Sequence, residues 1–306
     1  MRNLLFIILF LVSLAPGARK KEKSMDTFKA VPPSYKLAMV QMEVKGGDQA
    51  GNLARAEDRI REASVHGARI ALLPEALDFG WCHSSAREKA GPIPGGVSYE
   101  ALSKAARENT IYICAGLAEK DGDRLYNSAV IIDPDGELLI KHRKLNELDF
   151  AHDLYDQGDR LNVVHTDLGT MGLLICADAN ADGQALSKSL CYMGADIILS
   201  PCAWAVPPGY DNKAEPYGDT WRNAYGPISK MFDVWFVGVS NVGKVDDGKW
   251  SGWDCIGCSL AYAPGGKEVL QAPYGLHADT IIYLDVQLHD RPARGTDWPG
   301  YMHGNK

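Results

Sequence analysis

The chain has 306 residues, 46% of them hydrophobic, and a formal charge of −7; it can build one large core and offers no basic face to nucleic acid. Its 23% charged share is that of an ordinary globular protein, and the acidic balance favours solubility.

Taken in order, Met1-Arg2-Asn3 forms a short positive start, an apolar run covers residues 4–15, and the small residues Ala15, Gly17 and Ala18 follow. This reads as a signal peptide over residues 1–18, removed near Gly17 or Ala18. The run is too short to span a bilayer comfortably, so no stable membrane insertion is expected after processing. Residues 19–35 read as a charged linker. Use of the leader sends the protein to the periplasm or the exterior; a start at Met25 leaves it cytoplasmic.

Residues 36–290 read as one folded domain and 291–306 as a C-terminal arm rich in glycine and proline. Residues 36–44 alternate as a strand, and 48–67 follow as a helix with Leu53, Ala56, Ile60 and Ala63 on one face and Gly67 as its stop. Residues 69–73 form a buried strand that delivers Pro74-Glu75. After the turn-rich stretch 91–96, Ser98 and Glu100 suggest a capped helix start, with the helix running to Glu108. Strands over 111–117, 125–132 and 138–143 come next, the last two joined by the hairpin turn Asp133-Pro134-Asp135-Gly136. Lys144 stands at the far end of that hairpin.

Strands over 160–165 and 171–176 precede a helix over 184–193, and a strand over 197–199 follows. A helix over 213–231 is interrupted in composition by Pro216, Gly218, Gly226 and Pro227. Strands over 234–240, 258–263, 268–271 and 280–286 complete the series. Each half begins with strand and helix and ends with antiparallel hairpins, which predicts an α/β fold in four layers, an α-β-β-α sandwich. The seven cysteines are an odd number, so at least one thiol is free or pairs between chains. The Cys255 and Cys258 pair fits a disulfide or a tight loop, and no second ligand pair for zinc is visible.

Three reactive side chains stand just past apolar strands: Glu75, Lys144 and Cys176. Singly, each has a bland reading as a rim carboxylate, part of a solvated charge run, and a small buried hydrophobe. Together they supply a base, a positive donor for an oxyanion and a nucleophile. A thiol at a strand-to-helix turn can also meet backbone N–H groups and a helix N-terminus, both favouring thiolate.

The ordered stretches Ala71-Leu72-Leu73-Pro74-Glu75, Lys141-His142-Arg143-Lys144 and Gly172-Leu173-Leu174-Ile175-Cys176-Ala177-Asp178 resemble the nitrilase superfamily of carbon–nitrogen hydrolases. Supporting stretches are the eight residues from Gly194 to Pro201, and Gly257-Cys258-Ser259 with Pro264-Gly265. The resemblance covers about residues 36–286. It implies a Glu75-Lys144-Cys176 triad on the four-layer fold, with neither metal nor organic cofactor, and a homodimer or higher homo-oligomer. It also implies that Cys176 attacks an amide carbonyl, that Lys144 and the Ala177 N–H hold the oxyanion, and that Glu75 shuttles the proton.

Ala177-Asp178 looks like the amidase and carbamoylase branches rather than the Trp-Glu of nitrilases proper. The aromatic-Pro-Glu common a few residues on is replaced by Asn180-Ala181-Asp182-Gly183, and a carbamoylase-like arginine is absent there. A second glutamate often assists from the loop after the lysine; Glu147 takes that place, although it sits early and His152 and Asp153 lie nearer the expected position. Trp81, Cys82 and His83 after Glu75, and Trp204 with its neighbours Cys202 and Ala203, are candidates to line a pocket for a small-molecule amide. The alternatives are a nitrilase, an acyl-transferring member, and a binding member without turnover.

Overall fold

The structure, a computed structural model, describes residues 33–290. The leader over 1–18, nearly all of the 19–35 linker and the arm over 291–306 lie outside these residues.

The chain runs β1 (Ser34–Gln41), α1 (Gln49–Val65), β2 (Ile70–Leu72), the one-turn α2 (Ala86–Lys89), α3 (Val97–Asn109), β3 (Tyr112–Asp121), β4 (Arg124–Ile132) and β5 (Leu138–Arg143). It continues with β6 (Val163–Thr166), β7 (Gly169–Leu173), α4 (Ala185–Tyr192), β8 (Ile197–Cys202), β9 (Ala205–Val206), α5 (Asp219–Phe232) and β10 (Trp235–Ser240). The remaining strands are β11 (Val242–Lys244), β12 (Asp254–Ile256), β13 (Leu260–Ala263), β14 (Lys267–Gln271) and β15 (Thr280–Gln287).

Two six-stranded sheets result, ordered β15-β1-β2-β3-β4-β5 and β14-β13-β10-β8-β7-β6. Each has three parallel strands at its centre, β1, β2 and β3 in one and β7, β8 and β10 in the other. Each is finished by antiparallel strands at its edges: β4 and β5 at one edge and β15 at the other in the first sheet, β13 and β14 at one edge and β6 at the other in the second.

The alternation of side chains along β1 explains the layering. Leu37 and Met39 join the core that the two sheets share, while Ala38 and Val40 join a second cluster with Leu53, Ile60 and Leu102 from α1 and α3. Leu190, Ile228 and Phe232 of α4 and α5 belong to the shared core and cover the other sheet. The α-β-β-α order is therefore the one expected.

Several boundaries move. Asp48 caps α1 by accepting the Gly51 N–H at 3.2 Å, and Gly67 adopts φ +78° just beyond the helix. Ser98 does not cap α3, whose N-cap is Gly96; its hydroxyl instead donates to Asp78 Oδ2 at 2.8 Å. The helix expected from residue 213 begins at Asp219, after Gly218 at φ 132°, where a side chain would be strained. Cys255 and Cys258 are both free and buried, so the disulfide reading of that pair fails and the tight-loop reading stands.

Candidate active site

β2 ends at Leu72, and the next residues turn Glu75 into the space between the sheets. The Glu75 N–H donates to the Cys202 carbonyl at 3.1 Å, and Pro74 accepts the Gly116 N–H at 2.9 Å. Gly116 in β3 has to lack a side chain, because a Cβ there would lie 2.5 Å from the Glu75 Cα. Three residues on, the buried Asp78 carboxylate accepts the Phe79 and Ala118 N–H groups at 3.1 Å each, fixing the segment to β3. Burial lifts the Asp78 pKa to about 6 against the pull of these hydrogen bonds.

Lys144 follows β5 directly, and its N–H donates to the Asn127 carbonyl of β4 at 2.9 Å. Its ammonium meets Glu75 Oε1 at 2.7 Å and Glu147 Oε1 at 2.9 Å. The three side chains are 3%, 1% and 2% exposed, which makes this a buried, fully paired cluster. The Asn127 Nδ2 group bridges the carboxylates, donating to Glu75 Oε1 at 2.7 Å and to Glu147 Oε2 at 3.0 Å. Glu147 therefore touches the lysine, while His152 and Asp153 are exposed.

Cys176 stands at the end of an extended stretch from β7, as the first residue of a 3-10 turn, Cys176–Asn180. Its φ of +45° is unusual for a residue with a side chain. The expected helix N-terminus is displaced, because the turn and a second short one separate the thiol from α4. The Cys176 N–H donates to Ser200 Oγ at 3.2 Å. The turn is held by Asp178, fully buried, whose Oδ2 accepts the Ile175 N–H at 2.9 Å and bonds His142 Nε2 at 2.8 Å. Its Oδ1 accepts the N–H groups of Leu145 and Asn146 at 3.0 and 2.7 Å. Asn146 in turn donates to the Ala177 carbonyl at 2.6 Å. Asp178 thus ties the loop after Lys144 to the turn that carries Cys176.

Glu75, Lys144, Cys176 and Ala177 open into one pocket of about 280 Å³. Trp81 and Trp204 line it as well, each also packed into aromatic neighbours. Trp204 stacks on Trp221 with centroids 4.6 Å apart. Trp81 meets Trp250 at 4.9 Å, and its ring centroid lies 5.8 Å from the Lys144 Nζ. Cys82 and His83 are not among its lining residues; the Cys82 N–H donates to Tyr155 OH at 3.3 Å, and His83 bonds Ser85 Oγ at 2.8 Å.

The electrostatics follow from burial. Desolvation raises Glu75, Glu147 adds to the rise, and Lys144 and Asn127 oppose it without cancelling it. Burial pulls Lys144 down, but Glu75, Glu147 and Cys176 outweigh it and hold the ammonium well above its ordinary value. Burial, followed by Cys202 and Glu75, pushes the Cys176 thiol well up, with Lys144 opposing. Burial thus disfavours ionisation of the thiol while the paired acids hold the neighbouring ammonium.

Asn127, Asp178, His142 and Ser200 escaped the sequence reading as site residues. Asn127 left one signal, a lone amide inside the apolar run of β4. Asp178 entered only as a mark of the branch.

The comparisons agree with this fold. A family model described as Carbon-nitrogen hydrolase matches residues 36–293. The chain belongs to that family, within the nitrilase superfamily. It is 32% identical to the "Omega-amidase NIT2" of Bos taurus over 83% of this chain and 89% of that protein. A "Nitrilase" of Pyrococcus abyssi is 38% identical over 59% of this chain and 69% of its own length. Among solved structures, the Saccharomyces cerevisiae Nit3 superposes with a TM-score of 0.71 at 23% identity, covering 84% of this chain and 91% of that one. A mutant of the Nesterenkonia AN1 amidase gives 0.71 at 18% identity, covering 84% and 93%.

Proposed function

We propose that the protein hydrolyses linear amides through a thioester on Cys176. The observation that carries this reading is the shared pocket: the paired Glu75 and Lys144, backed by Glu147, and the thiol of Cys176 face the same 280 Å³ space. As a family member the protein is an amidase-type carbon–nitrogen hydrolase, and the site supplies the steps that such a reaction needs.

Glu75 accepts the thiol proton as the sulfur forms its bond to the amide carbonyl carbon. The carbonyl oxygen gains the negative charge, and Lys144 with the Ala177 N–H stabilises it. Glu75 returns the proton to the nitrogen as the C–N bond breaks, releasing ammonia or an amine and leaving the acyl group on sulfur. Glu75 then takes a proton from water, the oxygen attacks the thioester carbon, and the proton passes to the departing sulfur. Glu147 and Asn127 hold Glu75 and Lys144 in register throughout. A carboxylate with a raised pKa suits this double duty, since it is closer in basicity to neutrality than an exposed glutamate.

The test is ammonia release from an amide panel, with intact-mass detection of an acyl adduct. Wild-type protein is expected to show both, and Cys176→Ala neither; full activity in Cys176→Ala would refute the reading. The Pyrococcus relative's name favours a second reading, turnover of nitriles. Matched nitriles and amides decide between them, because nitrile-only turnover overturns the amide assignment.

A further inference from the structure

We infer that the accepted amide carries a small, uncharged, apolar acyl group rather than one bearing a carboxylate. This rests on the amidase reading above and names the substrate class for that site. Among the described residues lining the pocket, Lys144 is the one cation. Its ammonium is already shared between Glu75 at 2.7 Å and Glu147 at 2.9 Å. A carboxylate entering with the substrate would meet the acidic Glu75 in the pocket wall and no unshared positive group, and burying an unpaired carboxylate is strongly disfavoured.

Two cations next to pocket residues in the chain are turned elsewhere. Arg222, next to the pocket residue Trp221, is held by Glu268 and Gln271 at 2.9 and 2.8 Å. Lys249, next to Trp250, sits 5.4 Å from the Phe150 ring centroid.

What the walls offer is aromatic surface. Trp204 and Trp221 are stacked at 17°, Tyr217 lies 6.2 Å from Trp204, and Trp81 and Trp250 line the pocket too. Such walls gain from covering apolar groups. Asn180 and Thr220 add neutral polar groups, able to bond a hydroxyl but not to neutralise a charge. The volume of 280 Å³ lies at the small end for ligand pockets, which suits a short branched chain or one ring.

Succinamate and 4-methylpentanamide make a matched pair, the carboxylate of one replaced by the isopropyl group of the other. With the full chain, kcat/KM for 4-methylpentanamide is expected to exceed that for succinamate by roughly 100-fold or more, with its acyl adduct on the protein. Trp204→Ala is expected to raise KM for phenylacetamide about tenfold, and Trp204→Phe to restore most of the loss, with circular dichroism unchanged. Equal or faster turnover of succinamate, or an unchanged KM in a folded Trp204→Ala, overturns the inference and leaves the amidase reading standing. Absence of adduct and ammonia with every amide overturns both.

Discussion

In the proposed mechanism Glu75 accepts a proton from a thiol while buried beside the Lys144 ammonium and Glu147. Because desolvation and Glu147 raise its pKa, the acidic limb of kcat/KM should lie above the ordinary glutamate value of 4.5, with activity rising as Glu75 ionises. Removing the negative charge of Glu147 takes away one of the two raising influences. Glu147→Gln is therefore expected to move that limb to lower pH, which a pH–rate profile would show; a shift upward would contradict the cluster's electrostatics. At Cys176 the expectation is loss of function with retained fold: Cys176→Ala should cost at least about 1000-fold in kcat/KM, read by ammonia release. These residues stood out in the sequence because each follows an apolar strand. Asn127 did not, since a strand residue shows its partners only once β3, β4 and the loop after β5 are paired.

At the scale of elements, the site depends on two contacts between segments distant in sequence. The first is the passage of Glu75 over Gly116. A methyl group there meets backbone rather than a flexible side chain, so Gly116→Ala should destabilise by about 1–3 kcal/mol. It should also lower kcat/KM by roughly 100-fold through misplacement of the base; urea denaturation and kinetics check the two parts separately. The second is Asp178. Burial alone would raise its pKa, but His142 and the surrounding N–H groups outweigh this and hold it below 3.8. Its contribution is accordingly present above the unfolded value and lost as pH falls through the lowered folded one. Asp178→Ala strips partners from His142 and three N–H groups, and a loss of about 3–5 kcal/mol is expected near neutral pH, measured by urea denaturation.

The larger strands were legible because their apolar residues alternate or run together over five or more positions. The third sheet of β11, β12 and β9 was not, since strands of two or three residues carry no period. The start of α5 was misplaced because Pro216 and Gly218 were weighed as weaknesses of a helix rather than as its boundary.

For the molecule as a whole, the halves are not separable pieces. Leu37, Met39 and Leu72 of one sheet share a core with Leu173, Ile197 and Leu199 of the other, so a fragment ending after β5 would expose that entire face. It would also lack β15, which pairs with β1 across eight residues. That pairing has a further consequence. Ser34 lies opposite Gln287, and the Leu288 N–H donates to the Pro33 carbonyl at 3.1 Å, so the two ends of the folded part are neighbours. β15 beside β1 then repeats what β6 beside β7 does in the other sheet. The order of segments along the chain is thus one choice among several that fit the same packing. A circular permutant that joins Leu288 to Pro33 through a few glycines and opens between Leu276 and His277 would begin with a β15–β1 hairpin. It is expected to keep the wild-type circular dichroism spectrum and amide turnover, and loss of both would show that chain order itself is needed to assemble the sandwich.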